Sequence, residues 1–143
     1  MTRTATCQCG AFRAVVEGEP DLVGICHCRA CQRRTGAPFS ANAYFRRETV
    51  HLEGDYRTYT RPASEGRTLS NHFCPQCGAT ICWTMDLRPA HYGIAVGAFA
   101  DPGFPAPTYS VWEEAEHPWV ALPGDLEHFQ QARVGPPAPA RKA

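Results

Sequence analysis

The stretch Phe73-Cys74-Pro-Gln-Cys77-Gly78 decides how this chain folds. Its proline fixes a tight turn and its glycine can take positive φ, so backbone N–H groups can point at the two sulfurs and offset their charge. That is the turn of a zinc knuckle. Two thiolates cannot satisfy tetrahedral zinc, so a second pair is required. Near the start of the chain Cys7-Gln-Cys9-Gly10 carries the same glycine ending. Residues two apart in an extended strand face the same side, so Cys7 and Cys9 can reach one ion. The spacing therefore groups Cys7, Cys9, Cys74 and Cys77 into one closed structural site. Isolated buried thiols would explain two matched pairs poorly.

Three of the remaining four cysteines lie together in Cys26-His-Cys28-Arg-Ala-Cys31. This cluster supplies three thiolates and no obvious fourth, the coordination left open when a metal must bind water or substrate. His27, His72, Cys82 and His91 are the candidates that could close it. In a strand His27 faces away from Cys26 and Cys28. Cys82 shares a strand face with Thr80 and Thr84, and for it a packed free thiol is the stronger reading. For His72 and His91 an ordinary hydrogen-bonded histidine is stronger than a ligand, with a supporting role beside the metal as the other option.

A chain of 143 residues fits one domain. We expect a single zinc-binding domain over residues 1–130 and a disordered Pro/Ala-rich tail over 131–143, where Gly135-Pro-Pro-Ala-Pro-Ala-Arg-Lys-Ala143 cannot bury a core. No apolar stretch approaches the roughly 20 residues of a membrane span. The first residues lack the apolar core of a signal peptide, so the expected compartment is the reducing cytoplasm, where paired cysteines mean metal rather than disulfide. Ten arginines against seven acids in residues 1–70 make the first half mildly basic, while the net charge is zero. No run of like charge suggests a nucleic-acid partner. Lys142 is the only lysine, which excludes Schiff-base chemistry from the folded region. There is no phosphate loop, dinucleotide fingerprint or nucleophile elbow. Chemistry belongs to the cysteines and their metal.

Seven segments read as strands: Phe12 to Glu17, Leu22 to His27, Ser40 to Phe45, Tyr56 to Thr60, Thr68 to Phe73, Thr80 to Met85 and Tyr92 to Ala98. Thirteen prolines and twelve glycines leave no room for long helices, and one helical turn is expected from Arg29 to Arg34, closed by Gly36 and Pro38. The fold class is mainly β with short helical turns.

Taken in order, Cys-x-Cys-Gly, then Cys26-His-Cys-Arg-x-Cys-x-Arg-x-Thr-Gly-Ala-Pro-Phe39, then Phe73-Cys-Pro-x-Cys-Gly78, resemble the glutathione-dependent formaldehyde-activating enzyme family, also known through its centromere protein V relatives. The resemblance spans Thr6 to Leu126, including Pro118-Trp119 and Leu122-Pro-Gly-Asp125. It implies an Mss4-like, zinc-ribbon-derived β fold. It also implies two zinc ions, with Cys7, Cys9, Cys74 and Cys77 as structural ligands and Cys26, Cys28 and Cys31 as catalytic ones. The chain departs from the family pattern at Cys82, within Ala79-Thr-Ile-Cys-Trp83.

The reaction implied is that of a carbon–sulfur lyase: a thiol such as glutathione adds to formaldehyde or another aldehyde, or the S-hydroxymethyl adduct is cleaved. Zinc held by three thiolates would take an incoming thiol as thiolate. That site is anionic, so cations are needed beside it, and Arg29, Arg33 and Arg34 are placed to supply them, with no more than one expected to touch substrate. His27 could move a proton, although a structural role suits it equally. A noncatalytic glutathione-binding carrier is the alternative, since thiol storage needs the same site. A zinc module for protein or nucleic-acid contacts is disfavoured by the zero net charge and the lack of a basic, aromatic-rich stripe.

Overall fold

All seven expected segments contain strands in the structure, a computed structural model that describes residues 1–122 and 124–133, although the last strand ends at Ala95 and Val96–Phe99 form a 3-10 turn where strand was expected to Ala98. In chain order the elements are β1 (Thr2–Thr6), β2 (Arg13–Glu17), β3 (Leu22–Cys26), α1 (Arg29–Thr35), β4 (Ser40–Arg46), β5 (Val50–Glu53), β6 (Arg57–Pro62), β7 (Thr68–Phe73), β8 (Thr80–Met85), β9 (His91–Ala95), β10 (Tyr109–Val111) and β11 (Glu127–His128). The chain is mainly β with one short α-helix among the described residues, as the sequence indicated. Most of the expected tail, residues 134–143, lies outside the described residues.

Two compact units share the elements. The first comprises Met1–Asp21 and Ala43–Phe104, and the second Leu22–Asn42 with the chain from Pro105 onward. In the first unit β2 pairs antiparallel with β1 and with β5. Its residues alternate, with Ala14 and Val16 buried between exposed Arg13 and Glu17. The strands β6, β7, β8 and β9 form an antiparallel run. Central β8 buries Ile81, Cys82 and Trp83 in succession, the mark of a strand covered on both faces. Trp83 pairs with Gly93 of β9, and a Cβ there would lie 2.1 Å from the indole nitrogen, so the glycine makes room for the ring.

In the second unit β10 runs parallel to β3 on one side and to β11 on the other. Gly24 plays the part that Gly93 plays in the first unit: a Cβ would lie 2.1 Å from the ring of its partner Tyr109. The helix α1 starts at Cys28, whose sulfur accepts from the Cys31 N–H, and ends at Gly36 with φ of 70°. Arg33 and Arg34 occupy its last turn, where cations suit the negative end of the helix dipole.

Candidate metal centres

The first unit brings Cys7, Cys9, Cys74 and Cys77 together, with their sulfurs all within 4.8 Å of one another. Cys7 and Cys9 lie 3.7 Å apart, and Cys9 and Cys74 lie 3.6 Å apart. Four sulfurs around a tetrahedral ion at about 2.3 Å would be spaced by about 3.8 Å, so the cluster has the dimensions of a zinc site. Its two halves repeat one backbone design. The Cys7 N–H donates to Phe12 O at 2.9 Å, and the Cys74 N–H donates to Ala79 O at 3.0 Å. Each turn closes through a glycine of positive φ, Gly10 at 86° and Gly78 at 78°. Backbone N–H groups then reach the sulfurs, Phe12 to Cys7 at 3.2 Å and Gln76 to Cys74 at 3.4 Å. At Cys77, the N–H groups of Ala79 and Cys9 bring the thiol down to about 6. The turns thus favour the thiolates of Cys7 and Cys77 before any ion arrives, while desolvation and the neighbouring sulfurs push Cys9 up to about 11.

Cys26, Cys28 and Cys31 converge in the second unit, and among the described residues no fourth Cys, His, Asp or Glu joins their group. The end of β3 supplies the first, the helix cap the second and the first turn of α1 the third. These sulfurs compete for negative charge. Hydrogen bonds from Cys26 and Cys28 drive the Cys31 thiol far down, helped by the Ser40 hydroxyl and by the charge of Arg34. Cys26 is pushed far up by its hydrogen bonds with Cys28 and Cys31 and by burial. Three thiols that cannot all ionise unaided are what a divalent cation resolves. Of the three arginines singled out in the sequence, Arg34 bears on this cluster: it stands three residues after Cys31, on the same face of α1.

None of the residues weighed as a fourth ligand joins the three sulfurs. His72 is buried, hydrogen-bonds through Nδ1 to Thr58 Oγ1 at 2.9 Å, and is held neutral by burial and by Arg47. His91 contacts Asp21 at 2.9 Å. Cys82 is fully buried, and burial pushes its thiol up to about 12, so it is an inert packed thiol. The His27 ring, fully buried, meets Ser110 Oγ at 2.9 Å through Nε2 and groups with Glu113 and Glu116. Sequence reasoning passed over these two glutamates. Their only signal was the acidic run Glu113-Glu114-Ala-Glu116, which by itself reads as solvated surface.

A family model described as "Glutathione-dependent formaldehyde-activating enzyme" matches residues 2–115. No curated protein matches the chain. A crystal structure of a Rhodobacter sphaeroides protein is similar with a TM-score of 0.55 and 23% identity, covering 71% of this chain and 90% of that one. That likeness concerns the fold. No helix among the described residues is long and apolar enough to cross a membrane.

Proposed function

The chain belongs to the glutathione-dependent formaldehyde-activating enzyme family, and from that premise we propose that it is a zinc-dependent carbon–sulfur lyase acting on glutathione, or a related thiol, and formaldehyde. In this reading Cys7, Cys9, Cys74 and Cys77 hold a closed structural zinc, and Cys26, Cys28 and Cys31 hold a second zinc at the working site. The observation that carries it is the inequality of the clusters, four sulfurs in one and three in the other. When bound, the second zinc supplies a free coordination position and Lewis acidity, which favour an incoming thiol in its thiolate form at neutral pH.

The residues of the chain do the rest. Cys26, Cys28 and Cys31 would hold the ion from two consecutive elements, β3 and α1. Arg34 offsets the negative charge that three thiolates and a substrate thiolate would accumulate. In the reaction the substrate sulfur bonds to the formaldehyde carbon, the carbonyl π pair becomes the alkoxide, and the proton lost by the thiol is balanced by one gained from water at oxygen. The product is S-hydroxymethylglutathione, and the reverse path releases formaldehyde. Holding sulfur beside the carbonyl carbon is the main acceleration available.

The test is the rate of adduct formation from glutathione and formaldehyde against the spontaneous rate. The expected result is a clear excess with the native chain and none with Cys28→Ser. Tight glutathione binding with no excess rate would instead identify a thiol carrier.

A further inference from the structure

We propose that His27, Glu113 and Glu116 form a divalent-cation site separate from the sulfur clusters and different in donor chemistry. One ligand atom from each of the three lies within 4.8 Å of the others. The donors are an imidazole nitrogen and two carboxylate oxygens, a set that suits borderline to hard first-row cations such as manganese, iron, cobalt or zinc. The inference does not depend on the lyase reading.

The surroundings are those of a built site. His27 and Ser110 are both fully buried and bonded through Nε2. A metal-ligating histidine characteristically gives its other ring N–H to such an outer partner, which assigns the proton to Nε2 and ligation to Nδ1. Glu113, with only 2% of its side chain exposed, is steadied by His128 Nδ1 on its Oε1 at 2.5 Å. Ligating carboxylates are commonly held in this way.

The backbone aims the carboxylates as well. The His27 N–H donates to Val111 O at 3.1 Å, at the end of β10. Trp112 then takes positive φ, 58°, a costly conformation for a bulky residue, and turns the chain into the 3-10 turn Glu113–Ala115. The Glu116 N–H donates to Glu113 O at 3.0 Å, and side chains three apart in such a turn stand one above the other. The turn is anchored from outside by the Glu113 N–H on Phe129 O at 3.2 Å. Two carboxylates gathered in this way call for positive charge, and buried charges are paired or bound to metal. His128 stands on Glu113 from one side, and a divalent cation among the three would serve both carboxylates at once. A cation on His27 would also pin the residue between Cys26 and Cys28.

The test adds cobalt(II) to full-length protein stripped of metal and given only two equivalents of zinc, which the cysteine thiolates take first. The expected result is one further equivalent bound, with weak ligand-field bands in the visible and no thiolate-to-cobalt charge transfer. Glu116→Gln, a partly exposed position, is expected to weaken that equivalent at least tenfold with the zinc content unchanged, and Glu113→Gln to do the same if it folds. No uptake, uptake that carries thiolate charge transfer, or unaltered affinity in Glu116→Gln would overturn the proposal.

Discussion

Cys74 and Cys28 are both thiols in short motifs, yet they are expected to fail differently when replaced. Structural zinc contributes roughly 10–16 kcal/mol of apparent binding free energy, comparable to a domain's whole stability of about 5–15 kcal/mol. Cys74→Ala is therefore expected to unfold the protein, read as loss of the β signal in circular dichroism together with loss of zinc. Cys28→Ser is expected to keep the fold and lose one zinc. At Arg34 the expected effect is subtler. Its charge adds to the hydrogen bonds from Cys26 and Cys28 that favour the Cys31 thiolate, so in zinc-stripped protein Arg34→Met is expected to move the acid limb of Cys31 alkylation to higher pH, while Arg29→Met leaves it in place. The cysteine groups were legible in the sequence because metal ligation writes itself into local spacing. The choice of Arg34 needed the phase of α1 relative to Cys31. The grouping of His27 with Glu113 and Glu116 was not legible, because it depends on β10 lying beside β3.

Strand length and apolar pattern together decided which elements the sequence could announce. The strands β2, β7 and β8 carry patterns long enough to read, whereas β1 is Thr2-Arg-Thr-Ala-Thr6, in which only Ala5 is buried and pairing with β2 makes the strand. The three residues of β10 and two of β11 hold no pattern at all and are placed by parallel pairing to distant chain. The parallel contact between β3 and β10 rests on Gly24. Gly24→Ala forces a Cβ into the Tyr109 ring and is expected to cost about 1–3 kcal/mol, seen as a lower urea midpoint. A second element-level contact is Asp21, which joins His91 of β9 at 2.9 Å and Arg46 of β4 at 3.3 Å. These partners hold the Asp21 carboxyl below its ordinary value, His91 foremost. Its folded pKa lies below the unfolded one, so the contribution is complete above the unfolded value and fades as pH falls through the folded one. Asp21→Asn is expected to flatten that acid limb in a plot of Tm against pH. The effect should stay within about 1 kcal/mol, since the pair is exposed.

At the scale of the whole molecule, each compact unit carries one sulfur cluster, the closed one in the first and the open one in the second. The mainly β class could be read from the sequence, since thirteen prolines and twelve glycines break the chain into short extended runs. The division into two units could not, because the first is assembled from Met1–Asp21 and Ala43–Phe104 with a segment of the second between them. The most direct test of the unequal clusters counts sulfur-bound zinc per chain, released by a thiol-specific mercurial, before and after mild chelation. Circular dichroism and the rate of adduct formation are followed on the same samples. The prediction is two equivalents at first, then one, with the β spectrum kept and the rate gone. A single equivalent from the start, or loss of both together with the fold, would contradict the division into a closed structural site and an open working one.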